Sequence, residues 1–225
     1  MTIHPIAHMR SDFPAKFGIP RQSGLVQSLR GHIIFTPDYR DPAAVRGLAD
    51  FSHLWLIWGF SETDRDGWSP TVRPPRLGGN TRMGVFATRS PNRPNPLGLS
   101  AVALDGVEED GDQGIILRVR GGDLLDGTPI YDIKPYVPYA DCIADASGGF
   151  AAATPMAVLE ISISDALLAR LPSDKRGALM EVLALDPRPG YQDDPERVYG
   201  FVFAGFEIRF RVTGCVLTVV DVFGV

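Results

Sequence analysis

The sequence predicts a mainly β protein: an all-β barrel or sandwich over residues 1–143, followed by a small α+β unit over residues 150–225. Two observations carry this. Short apolar runs recur along the first part, separated by clusters of Gly, Pro and Asp that punctuate strands. Helical spacing becomes prominent only beyond residues 141–153, a stretch rich in Ala, Gly, Asp and Ser that reads as a boundary or flexible connection.

The expected strands of the first part are Ile3–His8, His32–Thr36, Leu54–Phe60, Met83–Thr88, Ser100–Val107 and Gly114–Arg120. The last, GIILRVR, ends in the alternation of a half-exposed strand. One helix is expected among them, Asp41–Phe51, because Asp41 can cap it and Pro42 suits its first position. The second part reads as a strand (Met156–Ser164), helices (Asp165–Leu171 and Ser173–Leu185) and a Pro/Gly loop (Asp186–Gln192). Two further strands, Phe201–Val212 and Cys215–Val222, meet at a Thr213-Gly214 turn.

Composition bounds the function. A net charge of −5 and a pI near 5.3 argue against histone-like, non-specific nucleic-acid binding, but leave room for a local basic site. The apolar run Leu54–Phe60 is too short to span a membrane, and the opening MTIHPIAHMRSDF lacks the pattern of a secretory signal. Cys142 and Cys215 are isolated, so a disulfide framework and structural zinc are not expected; buried free thiols in a reducing cytoplasm are. No G-x-G-x-x-G, P-loop, G-x-S-x-G or H-E-x-x-H motif is present. His4 and His8 stand i,i+4 in a strand-like segment, a wide spacing that favours surface histidines over metal ligands. His53, flanked by apolar residues, reads as a satisfied core histidine and not a base.

The chemically loaded segment is Arg73–Ser100, RPPRLGGNTRMGVFATRSPNRPNPLGLS. It holds five arginines and no Asp, Glu or Lys, so it repels itself unless something anionic sits there. Arginine without lysine favours planar, bidentate recognition of carboxylate or phosphate. Gly78, Gly79 and Asn80 form a turn that can bring backbone N–H groups close to a ligand.

Two other clusters accompany it. In KFGIPRQ, Arg21 and Gln22 follow the rigid Pro20 and can clamp a carboxylate or a purine edge, or be an ordinary surface turn. In GGDLLDGTPIYDIKPYVPY, Asp132 and Lys134 lie two apart and share one face of an extended segment. With Tyr136 they make a surface for proton transfer and stacking, or an ion pair with core packing. Together these parts suit a purine-containing ligand that carries a carboxylate or phosphate.

The blocks KFGIPRQ, FSHLWLIWGF, RPPRLGGNTRMGVFATRSPNRPNPLGLS and LLDGTPIYDIKPYVPYAD resemble the signature blocks of the YaeB/TsaA-like family, the TrmO tRNA N6-threonylcarbamoyladenosine methyltransferases. ALDPRPGY (Ala184–Tyr191) is similar to that family's C-terminal domain. The resemblance implies a small β-barrel that binds S-adenosylmethionine (SAM), works as a cytoplasmic homodimer without metal or membrane, and methylates N6 of threonylcarbamoyladenosine beside a tRNA anticodon. Carried over residue by residue, it puts cofactor contacts at Pro20, Arg21, Gln22, Ser61, Glu62, Arg89, Leu99, Arg120, Gly121, Gly122, Asp123 and Leu124. Asp132, Lys134, Tyr136 and Asn95 become the catalytic candidates, and Arg93 and Asn80 the substrate contacts. Ser61-Glu62 stands where members can carry His-Gln, and Asn92 where some carry an aromatic residue. The competing readings are a methyltransferase of this fold acting on another substrate, and a non-catalytic barrel that binds SAM, nucleotide or RNA.

Overall fold

A computed structural model of the chain describes residues 2–62, 67–152, 158–188 and 194–225. In order along the chain, its first part holds β1 (Ala7–Arg10), β2 (Arg30–Phe35), β3 (His53–Gly59), β4 (Thr71–Val72), β5 (Met83–Gly84), β6 (Leu97–Asp110), β7 (Gly114–Arg120), β8 (Pro129–Pro135) and the short α1 (Pro138–Asp141). The second holds β9 (Glu160–Ser162), α2 (Asp165–Leu168), α3 (Ser173–Ala184), β10 (Tyr199–Phe203), β11 (Phe206–Thr213) and β12 (Val216–Gly224).

Six strands pair in the order β1-β2-β7-β6-β3-β8, and β1 pairs in turn with β8, so the sheet closes into a barrel. The alternation of the strands decides what fills it. Met9, Ile33, Leu54, Leu56, Val102, Leu117, Val119 and Ile130 point inward and form one core cluster. β3 lies between β6 and β8, with Ile57 opposite Leu99 on one side and Asp132 on the other. β4, just before the arginine-rich segment, and β5, within it, form a separate two-stranded ribbon.

The second sheet runs β10-β11-β12-β9, with β9 parallel to β12. Ala178, Leu179, Val182 and Leu183 of α3 recur on one helix face and are buried in a second core cluster. That cluster also contains Phe13, Val26 and Leu29 from the long β1–β2 connection, with Phe17 and Ile19 packed against it. The connection that carries KFGIPRQ is thus anchored in the core of the second sheet. Asp12–Lys175 (2.7 Å) and the Ser28 hydroxyl donating to Glu181 (2.7 Å) fasten both its ends.

Several expectations need correction. Asp41–Phe51 is not one helix: it forms two 3₁₀ turns, Pro42–Val45 and Leu48–Asp50. Asp41 does cap, accepting from the Ala43 amide, but Arg46 is extended and Gly47 takes φ 82°, which ends the helical path. Met83–Thr88 pairs only over Met83–Gly84 and then turns into a 3₁₀ segment, Val85–Ala87. Phe201–Val212 is two strands, because Ala204 and Gly205 both take positive φ and close a hairpin between β10 and β11. The expected strand Met156–Ser164 is seen as Glu160–Ser162, its first two residues lying outside the described ones, as does most of the Asp186–Gln192 loop. Cys142 and Cys215 are free but exposed, not buried. His53 is exposed on the barrel wall, with Nδ1 2.9 Å from the Ser52 hydroxyl, and is not a core residue.

Candidate active site

Three segments far apart in sequence converge on Asp123. The Trp58 indole N–H donates to the Ser100 hydroxyl at 3.0 Å, and that hydroxyl donates to the Asp123 carboxylate at 2.6 Å. Ser100 is 1% exposed and Trp58 8%, so this polar chain runs from the barrel interior out to the half-buried Asp123. It exists because residue 98 is glycine: a Cβ there would lie 2.2 Å from the Trp58 ring. Phe60 packs edge-on against the same ring, centroids 4.4 Å apart.

Burial pushes the Asp123 carboxyl above its ordinary value, against opposing pulls from the Ser100 hydroxyl, the backbone amides of Asp123 and Ser23, and the positive charge of Arg89. Arg89 in turn donates to the side-chain oxygen of Gln22. Gln22, Arg89, Ser100 and Asp123 are therefore one group.

The loop supplying Gln22 is held from two sides. Gly24 N–H donates to the Gly121 carbonyl at 2.8 Å, and Gly121 N–H donates to that of Leu29 at 2.9 Å, stitching the loop to the turn that carries Asp123. On the other side Arg21 donates to the carbonyl oxygens of Arg188 (3.1 Å) and Asp186 (3.4 Å), residues just beyond α3. Arg188 itself forks onto the Asp186 carboxylate through two contacts of 2.9 Å.

The other expected cofactor contacts are not all brought here. The Arg120 side chain points to Asp105, 2.5 Å away, and the Leu124 side chain is core packing. Pro20 and Gly122 are buried. Ser61 and Glu62 are exposed, and Lys16 holds the Glu62 carbonyl and lies 3.9 Å from its carboxylate. Leu99 is 55% exposed while its neighbour Ser100 is buried, so their side chains lie on opposite faces of β6.

The catalytic candidates form a second group on that outer face. Asp132 and Lys134 make a 2.8 Å ion pair along β8, as expected for residues two apart on one strand face. Trp55 sits opposite Lys134, and its ring centroid is 5.5 Å from that of Tyr136. Leu99, Ile57 and Asp132 form one cross-strand row, which spans two strand spacings, about 10 Å. Asn95 and Asn80 are exposed. Arg93 ties its own loop by donating to the carbonyls of Thr88 (3.2 Å) and Ser90 (3.3 Å).

Trp58, Ser23 and Ser100 were not singled out from sequence. A signal existed for Ser100: it occupies the inward register of LGLSAV, where a polar residue needs a buried partner.

Chemically, the inner group offers a half-buried carboxylate whose partners are a hydroxyl and backbone amides, with Arg89 acting on it through charge. Such a carboxylate suits a ligand bearing hydroxyl or ammonium donors, and Gln22 with Arg89 suits a carboxylate or a purine edge. These are the groups that SAM presents.

Both parts of the chain are similar to known proteins. Residues 8–142 match the tRNA-methyltransferase O N-terminal domain, and residues 157–224 match the TrmO C-terminal domain. The chain is 46% identical over 216 residues to a tRNA (adenine(37)-N6)-methyltransferase of Escherichia coli K12, covering 92% of each. It is 50% identical over 163 residues to one of Eikenella corrodens, covering 72% of this chain and 91% of that one. A crystal structure of TrmO from Pseudomonas aeruginosa superposes with a TM-score of 0.80 at 34% identity, over 100% of this chain and 99% of that one. With both domains matched and the barrel and second sheet superposed, the chain belongs to the TrmO family of tRNA methyltransferases.

Proposed function

We infer that the protein is a SAM-dependent methyltransferase that methylates N6 of threonylcarbamoyladenosine beside the anticodon of tRNA. The observation that carries this reading is the convergence of Gln22, Arg89 and the half-buried Asp123 from three separate segments. When bound, SAM supplies a methyl group already activated by its positively charged sulfur. Asp123 accepts hydrogen bonds from the ligand's hydroxyl or ammonium groups, and Arg89 with Gln22 holds its carboxylate or base. The protein's main task is then orientation, and well-placed reactants reach effective molarities of 10⁵ M or more, on the order of 7 kcal/mol of barrier.

The N6 of the modified base is amide-like, so its proton needs an acceptor. We assign that role to Asp132, with Lys134 orienting it at 2.8 Å, Tyr136 and Trp55 offering a stacking surface, and Asn95 as a further catalytic candidate. Arg93 and Asn80 are assigned to the RNA side. Residues 1–143 act as the SAM-binding barrel and residues 150–225 as the unit that braces its cofactor loop. The chain works in the cytoplasm as a homodimer; the exposed Leu97 and Leu99 on the wall carrying Asp132 support association through that face.

Calorimetric titration with SAM tests the inner site. Arg89→Ala and Asp123→Asn should each weaken binding at least ten-fold while leaving the far-ultraviolet circular dichroism unchanged. Unaltered affinity in both would remove the cofactor from this site.

A further inference from the structure

The site described so far leaves the β4–β5 ribbon unexplained, and it carries two features that point to one ligand. Next to it lies a pocket of about 380 Å³ lined by Ser69, Thr71, Arg73, Arg82, Ser90 and Asn92 among others. Its described lining residues include two arginines, three hydroxyls and an amide, but no acid. Thr71 pairs with Gly84 and Val72 with Met83, so Arg73 and Arg82 are the next opposed positions, at the end of the ribbon where the 73–82 loop joins its strands. Like charges directly across an antiparallel pair destabilise it. Both arginines are exposed, and neither forms an ion pair or hydrogen bond with any described residue.

The second feature is aromatic. Trp68 and Phe86 are 51% and 73% exposed, and their rings stack with centroids 6.3 Å apart and planes 24° from parallel. Two large rings stacked in water at one end of a short ribbon, with an unneutralised arginine pair at its other end, form a combination that suits an unpaired strand laid along it: a platform for a base and a seat for a backbone phosphate. Asn92 and Ser90 line the pocket and Arg89 is the next residue back, so this surface adjoins the inner site.

We propose that the β4–β5 ribbon is a second RNA subsite: Trp68 and Phe86 stack an unpaired base of the anticodon loop near the target adenosine, and Arg73 and Arg82 clamp a phosphodiester further along the same strand. This rests on the tRNA-methyltransferase reading above. Arginine supports the clamp better than lysine because its planar fork engages two phosphate oxygens at once. The subsite supplies affinity and register to the RNA and takes no part in SAM binding.

The test is tRNA binding by fluorescence anisotropy, with full-length protein and two probes: tRNA bearing threonylcarbamoyladenosine and the same tRNA with plain adenosine. Trp68→Ala should weaken both probes by roughly 5- to 100-fold, the usual range for removing a base-stacking ring, and Trp68→Phe should restore most of that loss. Arg73→Gln and Arg82→Gln should weaken both probes alike and flatten the dependence of affinity on salt by about one phosphate's worth. SAM affinity should stay within two-fold in all four variants. These side chains are exposed, so thermal unfolding should be unchanged and folding does not confound the result. If the arginine variants weaken only the threonylcarbamoylated probe, the seat takes the threonyl carboxylate and the phosphate clamp is overturned. If the variants bind both probes as the parent does while the parent methylates normally, the subsite is overturned and the enzyme reading stands. If the parent itself binds neither probe, both fall together.

Discussion

Replacing Ser100 by alanine probes the Trp58–Ser100–Asp123 chain with almost no change in packing, since only one oxygen is removed. The deletion leaves the Trp58 N–H, on a side chain that is 8% exposed, without its 3.0 Å acceptor. A buried donor left unpaired costs about 1–3 kcal/mol. The 2.6 Å bond to Asp123 is lost as well, and with it a pull that opposes the upward push of burial, so the carboxyl moves further toward its neutral form. The net cost is about 2 kcal/mol, which for a chain of this size lowers the melting temperature by roughly 4–8 °C. SAM affinity should fall in parallel, because the ionised carboxylate is the form that accepts from the ligand. Differential scanning calorimetry without ligand and isothermal titration with SAM read the two effects separately. The double variant Trp58→Phe/Ser100→Ala removes donor and acceptor together and should be destabilised by less than the sum of the singles. A Ser100→Ala protein that melts within about 1 °C of the parent and binds SAM equally would refute the idea that this chain holds the site.

The remaining predictions address titration, catalysis and the second sheet. Because folding raises the Asp123 carboxyl, the folded chain holds that proton more tightly than the unfolded one; the resulting contribution to stability is present at low pH and lost as pH rises through the raised value. Asp123→Asn should therefore gain stability relative to the parent as pH rises through that window, while parent SAM affinity rises with pH and the variant's stays flat; parallel pH profiles for the two proteins would contradict this. Asp132→Asn should lower the methylation rate at least 10²-fold with SAM affinity intact, and full activity would remove Asp132 as proton acceptor. Arg21→Ala breaks the two contacts to the carbonyls of Asp186 and Arg188 and should raise the KM for SAM several-fold with little loss of kcat, measured by initial rates; an unchanged KM would mean that the cofactor loop does not need this brace. Asp123 and Asp132 serve groups on opposite faces of the wall, so in the homodimer mixing inactive Asp123→Asn and Asp132→Asn proteins should restore part of the activity, measured by initial rates; no restoration would contradict a site shared between the two chains.

Much of the barrel was legible because strands in a closed sheet advertise themselves by short apolar runs between turn residues; Gly114–Arg120 matches β7 end to end. What failed had local causes. The Asp41–Phe51 pattern carried a proper cap and proline, but a single positive-φ glycine outweighed them. Phe201–Val212 looked continuous because Ala204-Gly205 is a weak turn signal, and only the backbone conformation shows the hairpin. Charge alone marks the arginine-rich segment as a candidate anion site, and in the fold Arg89 joins Gln22 beside Asp123. Sequence could not show that Arg93 and Arg120 are occupied by their own loop and by Asp105. Nor could it show that the loop carrying Gln22 is rooted in the second sheet, because Phe13, Val26 and Leu29 meet their partners across more than a hundred residues.

The central claim is methyl transfer from SAM to a threonylcarbamoylated adenosine, and isotope transfer tests it most directly. The protein is incubated with SAM carrying a trideuterated methyl group and with tRNA bearing threonylcarbamoyladenosine, and the digested nucleosides are read by mass spectrometry. The account predicts the deuterated methyl on the N6 nitrogen of that nucleoside, no label in the same tRNA with plain adenosine, and loss of labelling in Asp123→Asn. Label on a different nucleoside, or none with a protein that binds both SAM and tRNA, would contradict it.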